Sequence, residues 1–139
     1  MVIMSVDYGD TRTGIAVCDK LELLASPVTV ITEKKAEFLS QKISELSKEC
    51  KAEKMVLGLP KNMDGTEGFR AQACREFAKQ LEADSGLTVD FQDERLTTVS
   101  AHNALNVTNT RGQKRKNIVD AVSAVIILED YLRKRKLTK

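Results

Sequence analysis

The apolar positions of this chain change rhythm several times, and each change marks an element. Val2, Ile3, Met4 and Val6 form a short apolar run that stops at Asp7, and Ile15, Ala16 and Val17 form a second run after a turn. The pattern predicts a β-hairpin with Asp7 at the C-terminal end of its first strand, and with Gly9 where a side chain would obstruct the backbone. A turn near residues 18–22 leads to β-branched Val28, Thr29, Val30 and Ile31, a third strand around 27–32. Short connections make these three strands an antiparallel meander. From 34 to 50 the spacing becomes helical through Leu39, Ile43, Leu46 and Cys50, which predicts an amphipathic helix.

The run 54–60 is apolar and too short for a helix, so it reads as a central strand. A turn-rich loop, 61–68, follows, in which Asp64-Gly65 bends the chain and Thr66 can cap the next helix. That helix runs over about 67–84, with Ala73, Cys74, Phe77 and Leu81 inward, and Ser85-Gly86 stops it. Residues 87–92 alternate as a fifth strand that ends in Asp93-Glu94-Arg95, and a short helix is expected over 99–106. Residues 106–117 have almost nothing to bury and read as a mobile loop. The last helix, about 118–134, is apolar nearly all round and should pack deeply.

The order β-β-β-α-β-α-β-α-α predicts an α/β fold. Helical crossovers after strands three and four favour parallel neighbours, so a mixed five-stranded sheet is expected, with strands one, four and five parallel and helices on both faces. A chain of 139 residues suits one domain, residues 1–139. The C-terminal ends of the three parallel strands then meet at one edge, which carries Asp7, the loop after Pro60, and Asp93-Glu94. If the first turn of the last helix crosses that edge, Asp120 joins them.

Composition narrows the chemistry. No apolar run approaches a membrane span and no basic, apolar leader opens the chain, so a soluble, intracellular protein is expected. Cys18, Cys50 and Cys74 are far apart and read as reduced thiols; His102 is the only histidine, which removes most histidine-based metal sites and a serine–histidine triad. The net charge of +2 hides an asymmetry: from Arg111 onward nine Lys/Arg face three Asp/Glu, a balance of +6, against −4 for the rest. The clusters at 111–116 and 133–136 suit a phosphate backbone, although each could also be a solvated charge run.

Converging carboxylates repel and raise one another's pKa, so three acids at one edge call for a cation. Oxygen donors point to Mg²⁺ or Mn²⁺, and acids beside a basic nucleic-acid contact point to metal-dependent phosphodiester hydrolysis. Other roles stay open for each residue. Asn117-Ile-Val-Asp120 also reads as a capping box, and Asp93 or Glu94 could pair with Arg95 at the surface.

Four stretches, Asp7-Tyr-Gly-Asp-Thr-Arg-Thr-Gly-Ile-Ala16, Gly58-Leu-Pro-Lys-Asn-Met-Asp-Gly-Thr-Glu-Gly68, Asp93-Glu-Arg-Leu-Thr-Thr98 and Lys114-Arg-Lys-Asn-Ile-Val-Asp120, together resemble the YqgF/RuvX family of bacterial nucleases and Holliday-junction resolvases. The resemblance spans nearly the whole chain. It implies a ribonuclease H-like fold, a cytoplasmic location and a role in maturing the 5′ end of pre-16S rRNA. It supports Asp7, Glu94 and Asp120 as metal-binding, catalytic acids. Two departures concern loop detail: Lys61 and Phe69 stand where many relatives have an apolar residue and a proline. A third concerns the second acid. The strand ending at Pro60 carries none, so Glu94 must come from strand five, with Asp93 or Asp64 as substitutes.

On this reading Arg12, Asn62, Arg95, Lys114, Arg115 and Lys116 contact substrate phosphates. The partner is nucleic acid, structured RNA or branched DNA, and the chain acts as a monomer or a homodimer. Two other classes compete. An Asp-x-Gly hairpin also resembles the phosphate-binding turn of actin- and hexokinase-like ATPases, which clamp nucleotide between two such domains. A non-catalytic RNA-binding assembly factor could keep the acids for metal or folding, although four Phe and two Tyr offer few stacking platforms.

Overall fold

The structure, a computed structural model, describes residues 1–60, 66–93 and 112–137, the stretch 112–121 as backbone alone. Its strands are β1 (Ile3–Asp7), β2 (Arg12–Cys18), β3 (Ala25–Thr32), β4 (Lys54–Leu59) and β5 (Val89–Asp93). Its helices are α1 (Ala36–Glu49), α2 (Phe69–Ser85) and α3 (Gly112–Leu137). The five strands form one sheet in the order β3-β2-β1-β4-β5. β1 to β3 pair antiparallel, while β1, β4 and β5 run parallel. This is the expected mixed sheet, and the expected bounds hold to within a few residues for every element up to β5.

Strand alternation divides the core into two layers. Met4, Val6, Ile15, Met55 and Leu57 pack with Leu39 and Ile43 of α1 and with Cys74, Phe77 and Leu81 of α2. Ile3, Ala16, Cys18 and Val56 face the other way, against Ala124, Ile127, Leu128 and Leu132 of α3. Each sheet face therefore buries one helical layer. Helix α2 ends as its sequence predicts: Gly86 adopts φ 74°, and its N–H donates to the Glu82 carbonyl at 2.9 Å. The three cysteines are free thiols, Cys18 and Cys74 buried. Among the described residues no helix is long and apolar enough to cross a membrane.

Helix α3 is held on its face by polar contacts at three levels. The buried Ser5 hydroxyl donates to the Ala124 carbonyl at 2.7 Å. Further along, the Tyr131 hydroxyl donates to Asp90 at 2.6 Å, and Lys54 pairs with the same carboxylate at 3.0 Å. Arg135 then pairs with Glu22 at 2.8 Å. Ser5 lies in mid-strand, whereas Lys54 and Asp90 stand near the starts of β4 and β5. The helix therefore runs opposite to the parallel strands, and its N-terminal half heads toward their C-terminal ends.

Three expectations are corrected. Residues 112–117 do not form a loop; they open α3, because Gln, Lys and Arg are good helix formers that need no burial to extend an anchored helix. Asp120 consequently lies well inside the helix and outside the first turn, so it does not cap its own helix. Thr66 does not cap α2 either, since Gly68 occupies the N-cap position without a side-chain cap bond. The expected helix over 99–106 lies outside the described residues.

Candidate active site

The β1–β2 hairpin places its acid through local constraints. A Cβ on Gly9 would collide with the Arg12 carbonyl oxygen, so the turn admits only glycine there. The Gly9 N–H also donates to Thr13 Oγ1 at 3.4 Å. Tyr8 stacks on Phe77 of α2 with ring centroids 4.2 Å apart and 6° between planes. Arg70 of α2 donates to Asp10 at 2.7 Å and to the Tyr8 carbonyl at 3.2 Å. The hairpin tip is thus fastened to the start of α2, directly after Asp7. Burial, with Cys74 and Asp10 nearby, raises the pKa of the Tyr8 hydroxyl, so this ring remains a neutral stacking partner.

Asp7 is half-buried at the last position of β1. Alternation puts it on the same face as Ile3 and Ser5, the face covered by α3. The ladder pairs Asp7 with Gly14 of β2, and the parallel register continues so that Gly58 of β4 lies on its other side. Both glycines are buried. Neither adjoining strand therefore projects a side chain beside the Asp7 carboxylate on this face. A carboxylate at a strand end is an oxygen donor of the kind a hard divalent cation takes. Among the described residues no three His, Cys, Asp or Glu side chains gather into a metal cluster.

The other predicted residues separate clearly. Arg12, the first residue of β2, is half-buried and shares the Asp7 face by alternation. Asp93 ends β5 beside Leu59 of β4 and shares the face of Val89 and Phe91, which pack toward α1 and α2. Asp93 thus points away from the Asp7 face. The backbone of Asp120 stands four residues before Ala124, one helical turn closer to the C-terminal edge of the sheet. Lys114, Arg115 and Lys116 occupy the opening turns of the same helix. Asn62, Asp64, Glu94 and Arg95 lie outside the described residues. The second basic cluster is partly engaged in the fold: Arg135 serves Glu22, and Arg133 pairs with Asp130 at 3.2 Å.

Sequence reasoning overlooked Ser5 and the two flanking glycines. The signal for Ser5 was a lone hydroxyl in an apolar strand, two residues before the acid and hence on its face. Gly14 and Gly58 could be recognised as flanking positions only once the strand register was known.

Comparisons with known proteins agree with this architecture. The family model described as "RuvX: Holliday junction resolvase" matches residues 1–134. A protein of Leuconostoc mesenteroides is 44% identical over 143 residues, covering 100% of both chains. One of Pediococcus pentosaceus is 44% identical over 135 residues, covering 95% of this chain and 92% of its own. Both carry the name "Putative pre-16S rRNA nuclease". Among solved structures, Thermus thermophilus RuvC bound to a Holliday junction superposes with a TM-score of 0.63 at 14% identity, covering 99% of this chain and 97% of that one. The Fowlpox virus resolvase in its junction complex gives 0.55 at 12% identity, covering 97% and 99%. At such identities the structural likeness establishes the ribonuclease H-like fold alone. The full-length family match and the relatives above 40% identity go further: this chain belongs to the RuvX family.

Proposed function

We propose that this protein is a metal-dependent nuclease that hydrolyses phosphodiester bonds in the 5′ leader of pre-16S rRNA in the cytoplasm. The observation that carries the reading is the register of α3 on β1. The Ser5–Ala124 hydrogen bond puts Asp7 one strand pair, and Asp120 one helical turn, beyond a common anchor toward the same sheet edge. In this reading Asp7, Glu94 and Asp120 hold Mg²⁺ or Mn²⁺, with Glu94 completing the ligand shell or orienting the attacking water. Bound there, the ion supplies Lewis-acid polarisation of the phosphodiester and a more acidic water. Arg12, on the Asp7 face, holds a substrate phosphate beside the acids. Lys114, Arg115 and Lys116 carry the flanking backbone, joined by Asn62 and Arg95. The names of the relatives favour RNA as substrate, while the description of the family model keeps junction resolution as the second reading.

The test is cleavage of end-labelled RNA carrying the pre-16S 5′ leader, beside a four-way DNA junction and plain single strands, in Mg²⁺ or Mn²⁺. Asp7→Asn and Asp120→Asn should abolish cutting while leaving the fold and RNA binding nearly intact. Symmetric junction cutting would select the resolvase, and binding without cutting in either metal would select an assembly factor. Loss of the fold in both variants would make the acids structural.

A further inference from the structure

Phe69 is the most exposed large apolar side chain among the described residues, at 86% of its surface. It is the first residue of α2 and borders an open recess of about 560 Å³ that it shares with Gln72, Arg75 and Glu67. The recess walls are ordered. Arg75 forms a two-pronged pair with Glu67, both bonds 2.7 Å, while its guanidinium lies 5.0 Å from the centre of the Phe91 ring. The Gln72 side-chain amide has no hydrogen-bond partner among the described residues and is exposed. An aromatic face and an unengaged amide, beside a guanidinium already committed to Glu67 and Phe91, match a flat heterocycle whose edge carries donors and acceptors.

The position of this recess relative to Asp7 is what gives it a role. Arg70, next to Phe69, grips the carbonyl of Tyr8, next to Asp7, and the Tyr8 ring is stacked on α2. Platform and hairpin tip are thus joined through one side chain; the recess lies with Phe91 in the α1/α2 layer and Asp7 on the α3 face, so a strand that reaches both crosses the C-terminal edge of the sheet.

We propose that Phe69 and Gln72 form a nucleobase site, in which one unpaired base of the RNA substrate stacks on Phe69 and presents its edge to Gln72. The site rests on the nuclease reading, since it takes its occupant from the strand at Asp7. It would hold the strand in place by gripping a base, independently of the phosphate contacts.

The chain has no tryptophan, so Phe69→Trp installs a single reporter. Binding of single-stranded leader RNA is measured in EDTA with full-length Phe69→Trp, Phe69→Tyr, Phe69→Leu and Phe69→Ala beside the wild type, after melting curves establish equal folding. Phe69→Ala and Phe69→Leu should bind roughly 5- to 100-fold more weakly, while Tyr and Trp stay near wild type. The indole emission of the Phe69→Trp protein should be quenched by RNA and left unchanged by inorganic polyphosphate. Wild-type affinity in Phe69→Ala, full rescue by Leu, equal quenching by polyphosphate, or no RNA binding by the wild type would each overturn the site. Cleavage by the wild type in Mg²⁺ is scored separately. Stacking without cutting defeats the nuclease reading alone, and cutting with an indifferent Phe69 defeats the base site alone.

Discussion

If the anchor at Ser5 sets the distance between Asp7 and Asp120, two substitutions at Ser5 should separate stability from catalysis. The Ser5 oxygen lies 2.7 Å from the Ala124 carbonyl, fully buried. Ser5→Ala removes the donor, and the carbonyl keeps its place in the helical ladder, so the loss is about 1 kcal/mol. That corresponds to a fall in melting temperature of roughly 3–5 °C for a chain of this size. The helix can stay where it is, and cleavage should stay within a few-fold of wild type. Ser5→Val puts a methyl where the hydroxyl was. A carbon cannot approach a carbonyl oxygen closer than about 3.3 Å, so α3 must retreat by roughly 0.6 Å. Overpacking of this kind costs about 1–3 kcal/mol. Because a displacement near 1 Å can cost about 10²-fold in rate, a loss of at least about 10-fold in kcat is expected even where the variant is fully folded. Urea melts at neutral pH and single-turnover cleavage of the leader RNA at 25 °C measure the two effects independently. A Ser5→Val protein that is destabilised yet cuts at the wild-type rate would refute the claim that α3 register positions the acids.

Three further outcomes follow from the same geometry. Arg135, assisted by the N-terminal amine, holds Glu22 down to about 2 from its usual 4.5. A carboxylate depressed in the folded state adds stability above its unfolded pKa and loses it as pH falls. Glu22→Gln should therefore lower urea stability at pH 7 by about 1–3 kcal/mol, with the gap closing between pH 4.5 and about 2; a pH-independent gap would assign the effect to packing. Replacing Lys114, Arg115 and Lys116 by Ala should flatten the salt dependence of single-strand RNA binding by about 2 log units per log unit of salt, read by filter binding from 50 to 200 mM salt, and an unchanged slope removes this turn from the contact surface. Asp93→Asn should cut within a few-fold of wild type while Glu94→Gln loses at least about 100-fold; the reverse order would hand the metal to Asp93.

The fold was legible where one local rule dominated. Strands β1 and β4 are short apolar runs closed by an acid or a proline, β5 alternates apolar and polar positions up to an acid, and α1 shows a clean helical spacing, so tertiary context had little to override. It was illegible at the start of α3. The segment from Gly112 to Asn117 offers no apolar residue to pack, and hydrophobic periodicity therefore reads it as loop. What extends the helix is the intrinsic preference of Gln, Lys and Arg combined with the anchoring of later turns at Ala124, Tyr131 and Arg135. The charge clusters illustrate a related limit. Arg135 looks like part of a basic tail in the sequence, yet its guanidinium is committed to Glu22, more than a hundred positions away.

For the proposed second acid, register bears on the choice where residue type does not. Asp93 and Glu94 are adjacent and chemically equivalent, and the sequence leaves both as candidates. Pairing of β5 with β4 sets Gln92 beside Gly58 and Asp93 beside Leu59, and Leu59 belongs to the layer beneath α1 and α2. An Asp93 carboxylate would have to pass around the edge of the sheet to meet Asp7. The row that carries Asp7 runs instead from Gly14 through Asp7 and Gly58 to Gln92, so an acid from β5 reaches that face only if the alternation continues one residue past Asp93, which is the condition the Glu94 assignment requires. The two buried glycines have a physical meaning in the same row. Neither position adds a side chain of its own to the row next to Asp7. Acid spacing along the chain says little about this. A one-residue change in strand phase would exchange Asp7 for Tyr8 on the α3 face and break up the proposed site while leaving composition, charge and element order untouched.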